Sequence, residues 1–347
     1  MSRSTWKVAE PREFTFDDPV GALSVRIVGG AVNVVGTDPA ALAARGGTRL
    51  EITSVEGPPL LVTREGDTLT VGYEDLTWQG LLDFFDRRGR RRSAVVSLAV
   101  PASASVEVGC VDAAAMVSGV RGRTEIRGVN GDTTLVGLSG RVLAETVSGS
   151  VEAQAVTGAL KFHSVSGDLT VVEGTGSSVR ADSVSGNMVL DLDPAGDPTD
   201  IHLGTVSGEV AIRLPHPVDT EVVANTASGS VHSAFEDLRV TGKWGAKKIT
   251  GTLGSGNGTL RAATVSGSIA LLRRPPSEDT ADAADTADAP DTTDTTDTAG
   301  AQRAADTAGP SDTTGPSGAA GGPGGPPSPG AASGDGPDAA SADSKEL

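Results

Sequence analysis

Two short stretches of this chain place aromatic side chains next to cations, a combination that suits contact with anionic surfaces. The denser stretch, residues 76–92, carries five large apolar side chains within residues 78–85, followed at once by five arginines. They are Trp78, Leu81, Leu82, Phe84, Phe85, Arg87, Arg88, Arg90, Arg91 and Arg92. Apolar side chains bury area at an interface, and each cation near an anionic surface adds on the order of 1 kcal/mol of attraction. The pattern predicts docking to an anionic membrane or an acidic partner, or alternatively a helix that caps one end of the fold with its arginines solvated.

A second, sparser cluster lies in residues 239–253, where Trp244 stands among Lys243, Lys247 and Lys248. It has the same combination with fewer apolar side chains, and we expect it to be the weaker contact site. Residues 1–276 carry a net charge of −5, which is the chain's −17 less the −12 of residues 277–347. Because this part of the chain is acidic, we expect no nucleic-acid partner.

Residues that could catalyse a reaction or bind a metal are scattered along the chain. Asp168 and Glu209 fall on turn positions of a sequence repeat, whereas Glu152 and Lys161 fall on strand positions. No metal-ligand spacing relates the histidines, which are His163, His202, His216 and His232. A calcium-binding β-roll needs an aspartate two residues after its repeat glycine, where this chain has an apolar residue. We therefore expect no catalytic site, metal or cofactor, and keep a polysaccharide-active β-helix enzyme only as an alternative.

The repeat that must position any site is a glycine, in several copies within the phrase Val-Ser-Gly, that recurs every nine residues from Gly122 to Gly176 and less regularly afterwards. The glycines expected to form structural turns include Gly149, Gly158, Gly167, Gly186, Gly208 and Gly267. Glycine accepts a positive φ, and a preceding Ser, Thr or Asn can bond the turn backbone. The Ser, Thr and Asn residues that precede the repeat glycines could instead form a row that binds a repeating ligand such as a glycan, but turn formation is their expected role.

Apolar residues alternate after each glycine, as in a half-buried strand: Leu169 and Val171 follow Gly167, and Val210 and Ile212 follow Gly208. The valines before each Ser-Gly are expected on inward ladders; they include Val147, Val165, Val184 and Val206. One nine-residue unit cannot bury its apolar face alone, so units must stack. The chain is therefore predicted to be all-β, a parallel β-solenoid-like stack of nine-residue strand repeats with about 18–22 residues per coil. An antiparallel meander is the alternative.

Composition divides the chain into three parts. Residues 1–108 are predicted to be irregular N-terminal capping strands interrupted by the 76–92 insertion, and residues 109–276 the Val-Ser-Gly solenoid. Residues 277–347 hold 14 acidic and 2 basic residues and almost no large apolar side chain. Such a segment cannot bury enough apolar area to offset its chain entropy, so a disordered acidic tail is predicted.

Four segments carry a resemblance to a known family: residues 96–108, 146–153, 163–171 and 205–212. Three of them repeat Val-Ser-Gly followed by alternating apolar residues. In these segments the chain resembles the bacterial putative-adhesin family, β-strand-repeat domains of unknown function, over roughly Val25 to Leu272. The resemblance implies a stacked β fold and an adhesin-like binding or scaffolding role, and it implies no catalytic residues.

The sequence shows neither an apolar run of transmembrane length nor a secretory signal, and the lone Cys110 suits a reducing compartment. These features predict a cytoplasmic protein, with the cell surface as the alternative. The expected function is a non-enzymatic binding or scaffold protein for a protein, a glycan or an anionic membrane surface. A surface-exposed adhesin is the alternative function.

Overall fold

The computed structural model describes residues 3–74, 92–175, 178–193, 200–215 and 217–274, which form one helix and 24 strands. The elements are β1 (Arg3–Val8), β2 (Arg12–Phe16), β3 (Ala22–Thr37), α1 (Pro39–Ala44), β4 (Thr48–Glu56), β5 (Leu60–Glu65), β6 (Thr68–Gly72), β7 (Ser93–Pro101), β8 (Ser105–Ser118), β9 (Thr124–Gly128), β10 (Thr133–Val136), β11 (Val142–Thr146), β12 (Val151–Gln154), β13 (Leu160–Ser164), β14 (Leu169–Gly174), β15 (Ser178–Asp182), β16 (Met188–Leu192), β17 (Asp200–Thr205), β18 (Val210–Leu214), β19 (Thr220–Thr226), β20 (Val231–Ser233), β21 (Arg239–Lys243), β22 (Ala246–Leu253), β23 (Gly258–Thr264) and β24 (Ile269–Arg273).

Successive strands of the repeat region alternate between two stacks. The first stack runs β9, β11, β13, β15, β17 and the second β10, β12, β14, β16, β18, with parallel pairing throughout. Val142 pairs with Leu160, and Val151 pairs with Leu169, each 18 residues on. One coil is therefore two strands and two corners. The predicted parallel solenoid is confirmed for this region, and the meander alternative is wrong.

The core lies between the two stacks and is filled by alternate residues of every strand. The apolar residues two and four positions after each repeat glycine are buried, as predicted; Leu160 and Phe162 are 1% and 0% exposed. Because the side-chain period of a strand is two, an apolar residue at every second position builds a continuous inward ladder.

The N-terminal strands extend both stacks. The long strands β3 and β8 each run through both stacks and pair with each other along their length. Antiparallel pairs then close the end, with β1 on β5 and β2 on β4. Trp6, Phe14 and Phe16 pack their rings there with centroids 5.6 to 6.2 Å apart. The short helix α1 was not predicted, although Asp38 before Pro39 is a helix-start signal and its carboxylate accepts a bond from Ala40 N at 3.0 Å.

The C-terminal coils are stacked out of chain order. β17 and β18 pair with β23 and β24, which in turn pair with β19 and β20. Gly267 therefore lies against Gly208, and Gly229 against Gly267. The 21-residue unit from Gly208 to Gly229 has the expected coil length but does not stack on the coil before it, because the coil of β23 and β24 lies between them. β22 pairs with the edge of β19 that faces away from β17, and β23 therefore pairs with the other edge of β19, between β19 and β17.

Residues 75–91 and 275–347 lie outside the described residues. The predicted aromatic and arginine segment, apart from Arg92, and the predicted acidic tail therefore have no structural account here. The boundary proposed between residues 108 and 109 falls within β8.

Candidate functional site

The two corners of each coil are built differently. At one corner, here called the hydroxyl corner, a Ser or Thr three residues before the repeat glycine caps that glycine's N–H. Thr205 Oγ1, for example, accepts from Gly208 N at 3.1 Å. The capping residues are Thr146, Ser164, Ser183, Thr205, Thr226 and Thr264. This position was not singled out from the sequence, although a Ser or Thr stands there in every one of these phrases.

At the other corner, the left-handed corner, the position three residues before the glycine has a positive φ instead. Gly119, Gly137, Ala155 and Glu173 lie there at 18-residue intervals, with φ between 51° and 66°. The nine-residue repeat therefore consists of two interleaved 18-residue repeats. One forms its turn with a capping hydroxyl, and the other forms it with a residue of positive φ.

The repeat glycines themselves do not have a positive φ, so the predicted reason for them is wrong. Close stacking requires them instead. A Cβ on Gly167 would overlap the carbonyl oxygen of Gly149 in the preceding coil, and one on Gly158 would overlap that of Gly140. Any side chain at these positions would separate the coils.

The valines of the hydroxyl corner point outward, which corrects the prediction that they form inward ladders. Val165, Val184 and Val206 are 47–50% exposed, and Val147 is half-buried. Their carbonyls receive bonds from the next coil; Ser185 N and Oγ both reach Val165 O, at 2.9 and 3.2 Å. Four serine hydroxyls are thus bonded between coils and are not free donors for a repeating ligand; they belong to Ser185, Ser207, Ser228 and Ser266.

A basic hairpin at the C-terminal end of the stack is the most distinctive surface feature. It consists of β21 and β22 joined by a turn at Trp244-Gly245, both with positive φ, 54° and 89°. Trp244 is 103% exposed. A non-glycine residue in the left-handed region costs roughly 1–2 kcal/mol, and an exposed indole gains nothing from the core. The fold therefore gives no reason for a tryptophan at this turn.

A groove of about 660 Å³ lies beside the hairpin on the outer face of the first stack. Its lining residues come from five neighbouring strands, β17, β23, β19, β22 and β21, and from the corners next to them. At about 4.8 Å per strand the groove crosses roughly 19 Å. Ala263 and Ala227 keep its floor low, and Asn225, Thr241 and three lysines supply polar groups. The lysines are Lys243, Lys247 and Lys248, and all are exposed.

No ion pair joins these lysines to an acidic side chain in the described part of the protein. Elsewhere on the same face, cations are paired across coils: Arg127 contacts Glu107 at 3.2 Å and Glu145 at 3.0 Å, and also Glu125. Partial burial opposes the charge of Arg127, but the hydrogen bond that Arg127 Nε donates to Glu145 and the charges of the three carboxylates leave the pKa of Arg127 raised. The hairpin lysines therefore form a locally unneutralised positive surface on a chain of net charge −17.

Four other titratable side chains have contacts or burial that the fold explains. His163 and His202 each face a separate carboxylate, Asp182 at 3.7 Å and Asp200 at 3.4 Å. Burial raises the pKa of the Cys110 thiol to about 12. Slight desolvation of Asp219 is outweighed by hydrogen bonds from the backbone and side chain of Asn257, which lower its pKa. His216 lies outside the described residues.

Arg92 is the one described member of the predicted 76–92 contact site. Its guanidinium lies 5.5 Å from the ring centre of Tyr73, and its carbonyl accepts from Gly29 N at 3.0 Å. Burial raises the pKa of Tyr73, and the charge of Arg92 opposes that effect. Tyr73 and Arg92, which lie within two residues of the two ends of the 75–91 segment, thus contact each other.

The fold defines the protein as a two-strand parallel β-solenoid with a basic groove at one end. A family model described as Toastrack DUF4097 matches residues 58–272, and the chain belongs to this family, whose function is unknown. The match begins at residue 58 rather than at Val25.

Two crystal structures are similar to the chain. One, of a "putative adhesin" from Bacteroides fragilis NCTC 9343, has 13% identity and a TM-score of 0.36, covering 78% of this chain and 97% of that one. The other, of a "putative cell adhesion protein" from Clostridium sporogenes ATCC 15579, has 9% identity and a TM-score of 0.25, covering 76% and 100%. No curated protein matches the sequence. Among the described residues, no helix is long and apolar enough to cross a membrane.

Proposed function

We propose that this protein is a non-enzymatic binding module and that its basic groove binds an acidic polysaccharide. The observation that carries the proposal is a group of three lysines that have no ionic partner among the described residues and lie beside a fully exposed Trp244 in a strained turn. Strain and exposure of this kind persist where a ligand contact compensates for them. Uncompensated cations favour an anionic ligand.

The groove's direction favours a glycan over a peptide. Peptides commonly bind sheets by adding a strand to a free edge. This groove crosses five paired strands, and among the described residues it reaches a free edge only at β21. A ligand that lies across the strands therefore meets side chains: lysine amines, the Asn225 amide and the Thr241 hydroxyl. The exposed indole of Trp244, in the turn next to the lining residue Lys243, adds an apolar face with a polar N–H, which suits a sugar ring.

Isothermal titration with polygalacturonate tests this function, with uncharged dextran as the ligand control. Changing Lys243, Lys247 and Lys248 to Ser is expected to weaken binding at least tenfold. A matched control removes three cations of the same face outside the groove, Lys161, Arg180 and Arg261, and is expected to change affinity less than twofold. No binding by the wild type, or equal loss in both variants, overturns the proposal. Binding of poly-glutamate or anionic vesicles but not polygalacturonate would assign the groove to another ligand class.

The 76–92 segment is proposed as a second contact site, for an anionic membrane or an acidic protein. Its support is the sequence pattern, together with the contact between Tyr73 and Arg92 near its ends. Changing Arg87, Arg88, Arg90 and Arg91 to Ser should abolish co-sedimentation with phosphatidylglycerol vesicles; Arg92 is kept because it packs over Tyr73. A variant that unfolds instead would favour the capping role.

An acidic polysaccharide ligand fits the cell-surface location that the sequence left as an alternative, rather than the cytoplasm. Protease treatment of intact cells tests this: loss of the full-length chain supports a surface location, and protection until lysis contradicts it.

A further inference from the structure

We infer that the free edge of β21 binds an extended acidic strand of another protein, which pairs antiparallel with β21. The strand that fits this edge alternates acidic residues, on the outward side of the sheet, with apolar residues, on the inward side. The inference goes beyond the glycan proposed for the groove, because this ligand bonds to the backbone of β21 rather than to the side chains of the groove.

β21 carries backbone groups that point away from the sheet. Among the described residues it pairs only with β22, through a two-residue turn at 244–245 in which both φ angles are positive. In such a type I′ hairpin the residues that flank the turn, Lys243 and Ala246, exchange backbone hydrogen bonds, and hydrogen-bonded pairs alternate from there. The N–H and C=O groups of Val240 and Gly242 therefore point to the open side of β21, where no described backbone group bonds to them. An added strand can bond to all four groups.

The side chains of β21 give the two sides of the edge different chemistry. Val240 lies opposite Ile249, which is 0% exposed, so both are on the inward side of the sheet, but Val240 is 50% exposed. Arg239, Thr241 and Lys243 alternate with it on the outward side, and all three are exposed. An added strand therefore buries apolar area against Val240 on one side and meets two cations on the other.

Charge complementarity selects an acidic strand for this edge. Arg239 and Lys243 lie at the two ends of β21, and Lys248 lies opposite Thr241 on β22. No ion pair joins these three cations to an acidic side chain within the described residues. Opposite charges directly across a strand pair attract, so acidic residues opposite Arg239 and Lys243 stabilise the added strand.

A second copy of this chain fits the same edge poorly. Two β21 strands aligned antiparallel over their full length place Arg239 of one copy opposite Lys243 of the other, at both ends of the pair. Like charges directly opposite destabilise strand pairing, and cations on an edge strand are a common protection against pairing between copies. The edge therefore disfavours its own copy and stays open to an acidic partner.

Fluorescence anisotropy of a labelled, end-capped peptide, Glu-Val-Glu-Val-Glu, with the full-length protein tests the edge. The peptide presents its carboxylates outward and its valines inward when it pairs with β21. The matched control Glu-Glu-Glu-Val-Val has the same composition without the alternation and should bind at least tenfold more weakly. Lys-Val-Lys-Val-Lys should also bind at least tenfold more weakly, because its charges repel Arg239 and Lys243. Equal binding of the two acidic peptides would overturn the inference.

Methylation of peptide nitrogens tests the register. In the antiparallel pair the peptide valines lie opposite Val240 and Gly242 and bond to β21, whereas the glutamate N–H groups point away from it. N-methylation of both valines should therefore abolish binding, and N-methylation of the first and last glutamates should change affinity less than threefold. Equal losses for the two methylated peptides contradict the inference. The protein is unchanged in this comparison, so its outcome does not depend on the folding of a variant.

Two variants test the edge from the side of the protein. Val240→Pro removes an N–H that points away from β22, which an edge strand tolerates, and should weaken peptide binding at least tenfold. Val240→Thr keeps the N–H and should weaken peptide binding less than threefold. Neither should change polygalacturonate affinity more than twofold, because Val240 does not line the groove.

The outcomes separate this inference from the proposed function. No peptide binding by the wild type, or equal peptide binding by wild type and Val240→Pro, overturns the inference and leaves the proposed function intact. Absence of polygalacturonate binding overturns the proposed function, while the peptide results still decide the inference. Sedimentation equilibrium covers the remaining occupant: a wild-type dimer that Val240→Pro dissociates would assign the edge to a second copy and overturn the inference.

Discussion

The two corners of the solenoid coil carry the same glycine but hold it by different means. At the hydroxyl corner a buried Thr or Ser satisfies the glycine N–H; Thr205 and Thr226 are 6% and 2% exposed. At the left-handed corner the backbone turns through a residue of positive φ, such as Gly137 or Ala155. Close stacking of the coils therefore requires the shared glycine, whereas the residue three positions earlier determines how the chain turns.

The largest effect is expected from a Cβ at a stacked glycine. Gly167→Ala should lower the free energy of unfolding by about 3 kcal/mol because its Cβ meets the backbone of the preceding coil. Gly137→Ala is the matched control: nothing lies within 4 Å of its Cβ, so only the positive φ of 62° opposes it, at a cost of about 1 kcal/mol. Urea denaturation measures both. Equal losses would show that conformation rather than stacking selects both glycines.

Loss of a capping hydroxyl should come next. Thr205→Val keeps the shape but leaves Gly208 N–H without its acceptor, at a cost of about 1–2 kcal/mol in the free energy of unfolding. Thr134→Val, on the outward side of β10, is the control and should change stability by less than about 0.5 kcal/mol. If Thr205→Val is as stable as wild type, the hydroxyl does not hold the corner.

A stabilising change is expected at the left-handed corner. Ala155→Gly relieves a φ of 51° and should raise the free energy of unfolding by about 0.5–1 kcal/mol, net of the greater unfolded-state freedom of glycine. The neighbouring strand change Gln154→Gly has no such strain to relieve and should lower it by a similar amount. A destabilised Ala155→Gly would show that the alanine methyl contributes packing that outweighs the backbone strain.

The solenoid could be predicted because its period and its inward residues are local properties of the sequence. Leu160, Phe162 and their equivalents alternate wherever a strand is formed. The placement of β23 between β17 and β19 could not be predicted, because strand order depends on which strand edge is free when the chain returns. The local sequence does not reveal it, since Gly229 follows the same Ser-Gly pattern as Gly208.

The hairpin site was partly visible from the sequence. Trp244 and its three lysines form a cluster in the sequence, but Asn225, Thr241 and Ala263 come from three different strands. The pairing of β22 with β19 and β21 brings Asn225 and Thr241 together, and the out-of-order stacking of β23 adds Ala263. The outward valines could not be assigned either. They directly follow a strand, so alternation alone does not fix on which side of the corner the chain places them.

Those valines give the smallest expected effect. Val206→Thr is nearly isosteric, and with a side chain 47% exposed its hydroxyl remains solvated, so the free energy of unfolding should change by less than about 0.5 kcal/mol. Val210→Thr, four residues on and 1% exposed, buries the same hydroxyl and should cost about 1–3 kcal/mol. If urea denaturation gives these two results, the solvent-exposed surface of the hydroxyl corner ends between Val206 and Val210. If Val206→Thr instead loses as much as Val210→Thr, the valine ladder is covered in solution, and a loss that grows with protein concentration would assign that cover to a second copy of the chain.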